Sequence, residues 1–331
     1  MIDISNPKVQ TALRSVRQAA VLMRHIQRET VVSSLTKDDK SPVTVADFAT
    51  QAIIGRILSR AFPDIPLVAE ETSTALHKPD EASTLTRVTG YVSQVIPDAT
   101  SETVCEWIDY GGAESGERFW VLDPIDGTKG FLRGDQYAVA LALVENGIVQ
   151  IGVLGCPNLR EASIPDKEGP GSVVLAIREQ GAWCTSMAEN DRQWKQLSVS
   201  ARRDASQARL LRSFEAGHTN VSKIDQLADW LGVQVEPVRM DSQAKYAVLA
   251  AGGGEVMIRL LSPDRPDYRE KIWDQAAGSI VLEEAGGKLT DLSGKSLDFT
   301  QGRLLTNNRG ILATNSLLHE QILEGLVVVG A

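Results

Sequence analysis

Two apolar runs on either side of an Asn-Gly turn constrain the fold of this chain more than any other feature. Residues 137–144 and 148–154 flank Glu145-Asn146-Gly147, and Asn-Gly between apolar runs is a strong short-range signal for a β-hairpin. A second pair of runs, 172–177 and 181–184, follows in the same manner. Consecutive hairpins indicate an antiparallel sheet, so we expect one in the middle of the chain.

The pattern on either side of these hairpins is helical or alternating. Helices are predicted at about residues 9–30, 45–61 and 85–96, and after residue 200 predicted strands (209–214, 233–238, 256–260 and 310–314) alternate with predicted helices (223–231, 244–251, 274–285 and 316–326). A chain of 331 residues exceeds the usual size of one hydrophobic core. We therefore predict an α/β protein with two domains, an α+β domain at 1–200 and a smaller α/β domain at 201–331, in which the antiparallel sheet lies between helix layers.

Composition excludes several classes of function. The three cysteines and four histidines show no CxxC or HExxH spacing, which argues against a disulfide framework and a zinc site and leaves oxygen as the ligand atom for any metal. A net charge of −9 disfavours nucleic-acid binding. No apolar run approaches the roughly 18 residues of a membrane-spanning helix, and the amino terminus does not resemble a signal peptide. We therefore expect a cytoplasmic protein that binds neither nucleic acid nor membranes.

An acidic motif, Asp123-Pro124-Ile125-Asp126-Gly127-Thr128, directly follows the short apolar run Phe119-Trp120-Val121-Leu122. Two aspartates at the end of a strand, with a backbone carbonyl between them, can converge on a hard cation such as Mg²⁺. The competing interpretation is an Asp-Pro turn beside an Asp-Gly turn on the surface, which is common for each dipeptide alone. This surface-turn interpretation explains poorly why a buried strand should lead directly into both acids.

Other acidic residues follow predicted elements but have ordinary explanations from local sequence. Glu70-Glu71 follows the short strand of residues 66–69 and could be a solvated loop. Asp274 could cap the amino terminus of a helix, and Asp47 could be an acid in the first turn of one. The residues alone leave both interpretations open.

The motifs together resemble those of the lithium-sensitive phosphatase superfamily, which includes inositol monophosphatases and fructose-1,6-bisphosphatases. The matching segments are residues 41–47, 70–71, 121–139, 155–159, 241–246, 270–274 and 284–287. Within the superfamily they are most similar to the 3′(2′),5′-bisphosphate nucleotidases of the fungal type, because Lys129-Gly130-Phe131 stands where inositol monophosphatases usually carry Asn-Phe. A catalytically silent relative is disfavoured, because no acid of the motif set has been lost.

The resemblance implies a layered αβαβα sandwich and a magnesium-dependent phosphatase. The implied reaction releases the 3′-phosphate of adenosine 3′,5′-bisphosphate to give AMP, with 3′-phosphoadenosine 5′-phosphosulfate as a further substrate, in sulfur assimilation and salt tolerance. The alternative is an inositol (poly)phosphate 1-phosphatase. Up to three Mg²⁺ ions are implied, together with inhibition by Li⁺ and with Na⁺ as a further candidate inhibitor. The partner is a small-molecule 3′-phosphonucleotide; the oligomeric state is left open, and a monomer is compatible with the sequence.

The resemblance also implies a role for individual residues. The implied metal ligands are Glu70, Asp123, Asp126, Asp274 and the carbonyl of Ile125. Asp47 and Thr128 are the implied catalytic pair that orients and deprotonates the attacking water, and the implied substrate contacts are Thr128, His218, Ser242, Lys245 and Arg259. Local sequence alone would leave the last four as ordinary surface or helix residues.

Overall fold

The computed structural model describes residues 2–33, 41–188, 193–214 and 219–331, with only the backbone described at 30–33 and 41–44. The helices in these ranges are α1 (Pro7–Ser33), α2 (Ser41–Ala61), α3 (Ala82–Val95), α4 (Ser101–Asp109), α5 (Thr128–Leu132), α6 (Val221–Leu231), α7 (Ala244–Ala250), α8 (Ala276–Glu284) and α9 (His319–Val328). The strands are β1 (Leu67–Ala69), β2 (Arg118–Asp126), β3 (Ala138–Glu145), β4 (Ile148–Cys156), β5 (Leu159–Arg160), β6 (Ile164–Pro165), β7 (Ser172–Ile177), β8 (Gly181–Ser186), β9 (Lys195–Gln196), β10 (Leu210–Arg212), β11 (Val238–Arg239), β12 (Val256–Arg259), β13 (Lys288–Thr290) and β14 (Ile311–Thr314). Among these helices, none is long and apolar enough to cross a membrane.

The larger sheet contains seven strands in the order β1-β2-β3-β4-β7-β8-β9. All neighbours are antiparallel except β1 and β2, which are parallel. The predicted hairpins form its centre, so the expectation of an antiparallel sheet in the middle of the chain is confirmed. The parallel pair at one edge places the carboxyl ends of β1 and β2 side by side.

The smaller sheet contains five strands in the order β11-β10-β12-β14-β13. The first three are parallel and β14 runs antiparallel to both of its neighbours. The alternating strands and helices predicted after residue 200 form this sheet and its helices, although the predicted strand 233–238 shrinks to β11 and β13 was not predicted. The division of the chain at residue 200 stays a prediction.

Alternate residues of β3 show how the layers stack. Val139, Leu141 and Leu143 pack into the core shared with α1 and α2, whereas Ala138, Ala140 and Ala142 face the core shared with α7 and α8. A third core lies between the other face of the smaller sheet and helices α6 and α9. The order of layers is therefore helix, sheet, helix, sheet, helix, which confirms the expected αβαβα sandwich.

Helix α8 lies close against the larger sheet because small residues line the contact. A Cβ atom on Gly152 of β4 would come within 2.4 Å of the Ile280 side chain and 2.8 Å of the Ala277 carbonyl. Such an approach is possible only for glycine. The helix that follows Asp274 is thus held directly on the sheet that carries Asp123 and Asp126.

Two helices differ from the predictions for physical reasons. Helix α2 begins at Ser41 rather than Val45, because Pro42 is tolerated in the first turn, where its missing N–H has no partner to lose. Helix α4 was not predicted. It is short and begins with a capping box in which Thr100 and Thr103 exchange hydrogen bonds, a variant that lacks the usual Glu or Gln.

Candidate active site

A β-bulge inside the acidic motif places both aspartates on one face of the larger sheet. Asp123 pairs with Ala140 and Asp126 with Ala138, so two residues of β2 oppose one residue of β3. Ile125 packs into the core beside α1 and α2, and Asp126 therefore points to the opposite face, as Asp123 does. In an unbroken strand, residues three apart would point to opposite faces. The strand extends beyond the apolar run 119–122, because β2 continues through the bulge to Asp126.

The chain leaves the bulge at Gly127, which has a φ of 91° and leads into helix α5. A Cβ atom there would lie 2.7 Å from the Cβ of Ser242, so the segment before α7 approaches β2 closely. In that segment the backbone N–H of Gln243 donates a hydrogen bond of 2.8 Å to Asp126 Oδ2. The segment before α7 thereby holds Asp126, one of the two acids of the motif.

Glu70 and Asp274 approach the motif from neighbouring segments. Glu70 directly follows β1, beside the end of β2. Asp274 precedes α8, whose first helical residue is Ala276 and whose N-cap residue is Gln275, so the helix-cap interpretation of Asp274 is wrong. The charges of both acids act on Asp123.

The carboxylates raise one another's pKa. Asp123 is 2% exposed, and its Oδ1 has no hydrogen-bond partner. Burial, followed by the charges of Asp126, Glu70, Asp274 and Asp47, raises the pKa of Asp123 well above its usual value. Glu70 is exposed as a residue, yet desolvation of its carboxyl group and the charges of Glu71 and Asp126 raise its pKa to about 7. A buried group of like charges with an unpaired oxygen is an environment that a cation stabilises.

This donor set fits hard divalent cations. Within the described ranges, no three acidic, histidine or cysteine side chains converge closely enough to ligate one ion by themselves. Mg²⁺ is commonly held by one or two carboxylates while it retains several water molecules. Ile125 lies in the bulge, out of register with β3, and its carbonyl stays a predicted additional oxygen donor. The residues therefore fit ions that are each bound by one or two carboxylates and complete their coordination with water molecules.

Asp47 and Thr128 lie on helices that touch. Asp47 is buried in α2, and burial, followed by the charges of Glu71 and Glu70, raises its pKa well above the usual value. Thr128 is an exposed residue at the start of α5, and α5 contacts α2. The hydrogen bonds of the described residues do not include one between Asp47 and Thr128. Their catalytic pairing stays a prediction.

One cleft, with a volume of about 600 Å³, joins acidic and basic side chains. Its lining includes Asp126, Thr128, Ser242, Lys245, Arg259 and Asp274. Burial and then the charge of Arg259 lower the pKa of Lys245 to about 8, and its Nζ donates a 2.9 Å hydrogen bond to Ser213. Burial acts to lower the pKa of Arg259. The charges of Glu270 and Asp274 outweigh this effect, so the pKa lies above its usual value. His218 lies outside the described residues.

An aromatic side chain also lines this cleft. Phe214 is half exposed, and the guanidinium of Arg133 stacks on its ring at 5.2 Å from the centroid. Arg133 also forms an ion pair with Asp241, whose other oxygen accepts a 3.2 Å hydrogen bond from the Phe214 backbone. Arg133 thus contacts the ring directly, and its ion-pair partner Asp241 holds the Phe214 backbone.

The predictions missed residues that support the acids. Lys271 and Arg303 lie over the Trp273 ring, at 5.7 Å and 4.8 Å from its centroid, and both act to lower the pKa of Glu70. Glu270 binds Arg259 through an ion pair of 3.0 Å. Three of these residues, Glu270, Lys271 and Trp273, could have been found from their position directly before Asp274. No feature of the sequence indicates Arg303.

Comparison with known proteins places these features in a family. Residues 7–329 match the inositol monophosphatase family. A 3′(2′),5′-bisphosphate nucleotidase of Schizosaccharomyces pombe is 39% identical over 338 residues, which cover 97% of this chain and 95% of the relative. A protein of the same name from Oryza sativa is 41% identical and covers 96% of this chain and 93% of its own length. The resemblance stated from the motifs is confirmed.

Solved structures show the same fold. An inositol monophosphatase from Anabaena superposes with a TM-score of 0.62 at 22% identity, covering 97% of both chains. An inositol monophosphatase from Thermotoga maritima has a TM-score of 0.62 at 18% identity, covering 98% of both. At these identities the likeness concerns the fold alone.

Proposed function

The chain belongs to the inositol monophosphatase family, and we propose that it hydrolyses the 3′-phosphate of adenosine 3′,5′-bisphosphate to give AMP and phosphate. It is a phosphoric monoester hydrolase of the bisphosphate nucleotidase group, whose fungal and plant members are its relatives over nearly their full length. The observation that carries the choice of substrate is a single cleft lined by carboxylates, by Lys245 and Arg259, and by an aromatic ring. A substrate with two phosphates and a base matches all three.

The proposed cofactor is Mg²⁺, up to three ions, with Glu70, Asp123, Asp126, Asp274 and the Ile125 carbonyl as the residues that hold it. The fit depends on the unpaired Asp123 oxygen and on the mutually raised carboxylate pKa values. When bound, the metal supplies an acidified water and neutralises charge on the phosphate. Inhibition by Li⁺, and by Na⁺ as a further candidate, is proposed from the same resemblance.

The chain's own residues orient the water and the substrate. Asp47 and Thr128 are the proposed pair for the attacking water, because a hydroxyl can accept from water while it donates to a carboxylate. For this role their helices, which touch, must bring the two side chains together. No phosphorylated enzyme residue is required, since water attacks the phosphorus directly and the 3′-oxygen leaves with a proton.

Lys245 and Arg259 are the proposed contacts of the phosphate that is not cleaved, with Ser242 and His218 as further substrate contacts. A cation held partly desolvated in a cleft binds an anion more strongly than one in open water. Burial lowers the pKa of Lys245 to about 8 despite nearby carboxylates, so an anionic ligand would raise this pKa and hold the amine protonated. This feature favours a substrate with a second phosphate over inositol monophosphate.

Phe214 is the proposed platform for the base. An aromatic ring with one face under a guanidinium and about half its surface exposed offers the other face for stacking. The cleft volume of about 600 Å³ lies within the range of roughly 300–1,000 Å³ that is usual for sites of small ligands. An inositol ring would leave the aromatic face uncovered.

The test is release of phosphate in the presence of Mg²⁺ from three substrates in parallel: adenosine 3′,5′-bisphosphate, 3′-phosphoadenosine 5′-phosphosulfate and inositol 1,4-bisphosphate. We expect the two nucleotides to be cleaved with the higher kcat/KM. Faster cleavage of inositol 1,4-bisphosphate would favour the alternative, an inositol polyphosphate 1-phosphatase. The location of the protein in cells tests the further proposal that it is cytoplasmic, and size measurement of the purified protein determines the oligomeric state.

A further inference from the structure

We propose that two buried glutamines, Gln51 and Gln243, are positioning residues that fix the backbone segments carrying the acids of the cleft. The inference rests on the proposed function, because its effect is on the cations that those acids hold. Gln51 does not line the cleft, whereas Gln243 lies at its wall. Gln51 acts through the peptide groups beside an acid, and Gln243 acts both through such peptide groups and directly on Asp126.

Gln51 binds the segment that follows β1. It lies one helical turn after Asp47 on α2 and is fully buried. Its amide accepts a 3.0 Å hydrogen bond from the Glu71 N–H and donates bonds of 2.7 Å and 2.8 Å to the carbonyls of Glu71 and Ile108. Both donors of the amide are used, and the peptide groups of Glu71 are bound in both directions. This side chain therefore connects the segment that carries Glu70 to α2.

Gln243 binds the segment that precedes α8. Its side chain is 1% exposed, donates a 2.9 Å hydrogen bond to the Trp273 carbonyl and accepts one of 2.9 Å from the Gly278 N–H. Its own N–H donates to Asp126 at 2.8 Å. One residue thus connects Asp126 on the larger sheet with the peptide group directly before Asp274.

A carboxamide suits these two positions because it supplies a donor and an acceptor without charge. The acids already raise one another's pKa, so a Glu at either position would add repulsion and lose the donor. A hydrophobic side chain would leave the buried peptide groups unpaired, which is unfavourable. Groups that orient metal ligands in this manner usually contribute about 10–100-fold to metal affinity or activity.

The test uses Gln51→Met and Gln243→Met, which keep the length of the side chain and remove both polar atoms. Asn315→Leu is the matched control, because Asn315 is 1% exposed and its amide donates to the carbonyls of Ser200 and Arg202 at 3.0 Å and 2.7 Å. Mn²⁺ binding is measured by electron paramagnetic resonance on the full chain. We expect binding about 10–100-fold weaker in both Met variants and unchanged in the control.

Hydrogen exchange of the backbone amides provides a second readout that does not depend on metal. In Gln51→Met the Glu71 amide should lose protection, and in Gln243→Met the Gly278 amide should lose it. If a Met variant unfolds at the assay temperature, Gln51→Glu or Gln243→Glu replaces it. These retain the acceptor, so the amide should stay protected while kcat falls at saturating Mg²⁺ and KM for the nucleotide changes little.

The outcomes separate this inference from the proposed function. Mn²⁺ binding and kcat that equal the wild-type values in both folded variants would overturn the positioning role and leave the phosphatase intact. A loss of the same size in Asn315→Leu would also overturn it, since any buried amide would then have the same effect. A wild-type chain that binds no Mn²⁺ would overturn the proposed metal site and this inference with it.

Discussion

The acidic and basic residues in and beside the cleft belong to different parts of the molecule. Their charges are neutralised by neighbouring residues to different degrees. Asp123 and Asp126 lie on β2 of the seven-stranded sheet, and their neighbours are further acids that raise the pKa of Asp123. Arg259 lies on β12 of the five-stranded sheet and is already paired with Glu270 at 3.0 Å. Asp123 therefore depends on cations from solution, whereas Arg259 is partly neutralised by the chain itself. Loss of an acid should accordingly affect both activity and metal-free stability, and loss of a base chiefly substrate affinity.

The strongest test of this contrast is Asp123→Asn. Removal of a charged ligand should cost several kcal/mol of transition-state stabilisation, so we expect kcat to fall on the order of 10³-fold. The same change removes an uncompensated buried charge, so the metal-free variant should unfold at the same or a higher temperature than wild type. Phosphate release and thermal unfolding measure the two effects. Near-wild-type turnover would remove Asp123 from the site.

Asp291→Asn is the matched control. Asp291 has the same exposure as Asp123, 2%, but its pKa is lowered: hydrogen bonds from Ser293, Lys295 and Asn308 overcome the opposing effect of burial. Its loss should therefore lower the unfolding temperature and leave kcat unchanged. If both aspartates behaved alike, buried position alone would explain the result, and the contrast would fail.

On the basic side, Lys245→Met should raise KM for adenosine 3′,5′-bisphosphate by about 10–100-fold, because a charge-assisted hydrogen bond contributes about 1.5–3 kcal/mol. Adenosine 3′-monophosphate lacks the second phosphate, and its KM should hardly change. Since the pKa of Lys245 is about 8, the wild-type KM for the bisphosphate should also rise as pH increases above that value. Equal effects on both substrates would show that Lys245 does not bind the 5′-phosphate.

Phe214→Leu tests the aromatic part of the cleft. Leu keeps an apolar surface but cannot stack, so we expect a loss of about 1 kcal/mol and a KM for the nucleotide raised about fivefold. Cleavage of p-nitrophenyl phosphate, which carries no base, is the control and should be unaffected. An unchanged nucleotide KM would place the base elsewhere.

The smallest expected effect is the pH dependence of metal-free stability. Folding raises the pKa of Glu70 from 4.5 to about 7, so its contribution to stability is present at low pH and is lost as pH rises through 7. The unfolding temperature of the metal-free protein should therefore decline by a few degrees between about pH 5 and about pH 8, and Mg²⁺ should reduce this decline. A stability that rises over the same interval would contradict a cluster of raised pKa values.

Much of the fold was predictable because its signals are local. The Asn-Gly turn and the alternation of apolar residues identify β3 and β4, and the same periodicity identifies α1. Helix α4 gave a weaker signal, because its capping box uses Thr100 and Thr103 instead of the usual Glu or Gln, and the three-residue strand β13 was not predicted.

The candidate site was predictable to the extent that its residues form a contiguous motif. Asp123 and Asp126 can be recognised because they follow an apolar run. Glu70 and Asp274 were assigned to the site through the resemblance to the family. Gln51 and Gln243 could not be found in this way, because their role consists of hydrogen bonds to peptide groups 20 and 30 residues away. Nothing in the type of residue reveals such a partner.

The bulge between Asp123 and Asp126 has a consequence for how acidic pairs are recognised in other sequences. Acids three positions apart are commonly taken as one side of a helix, since a strand would send them to opposite sides. Here a single extra residue in β2 reverses that expectation. Because Pro124 has no N–H to lose, it marks where the extra residue is tolerated. A deletion of one residue between the acids would restore regular pairing with β3. A sequence search for acid pairs on strands should therefore allow separations of both two and three residues.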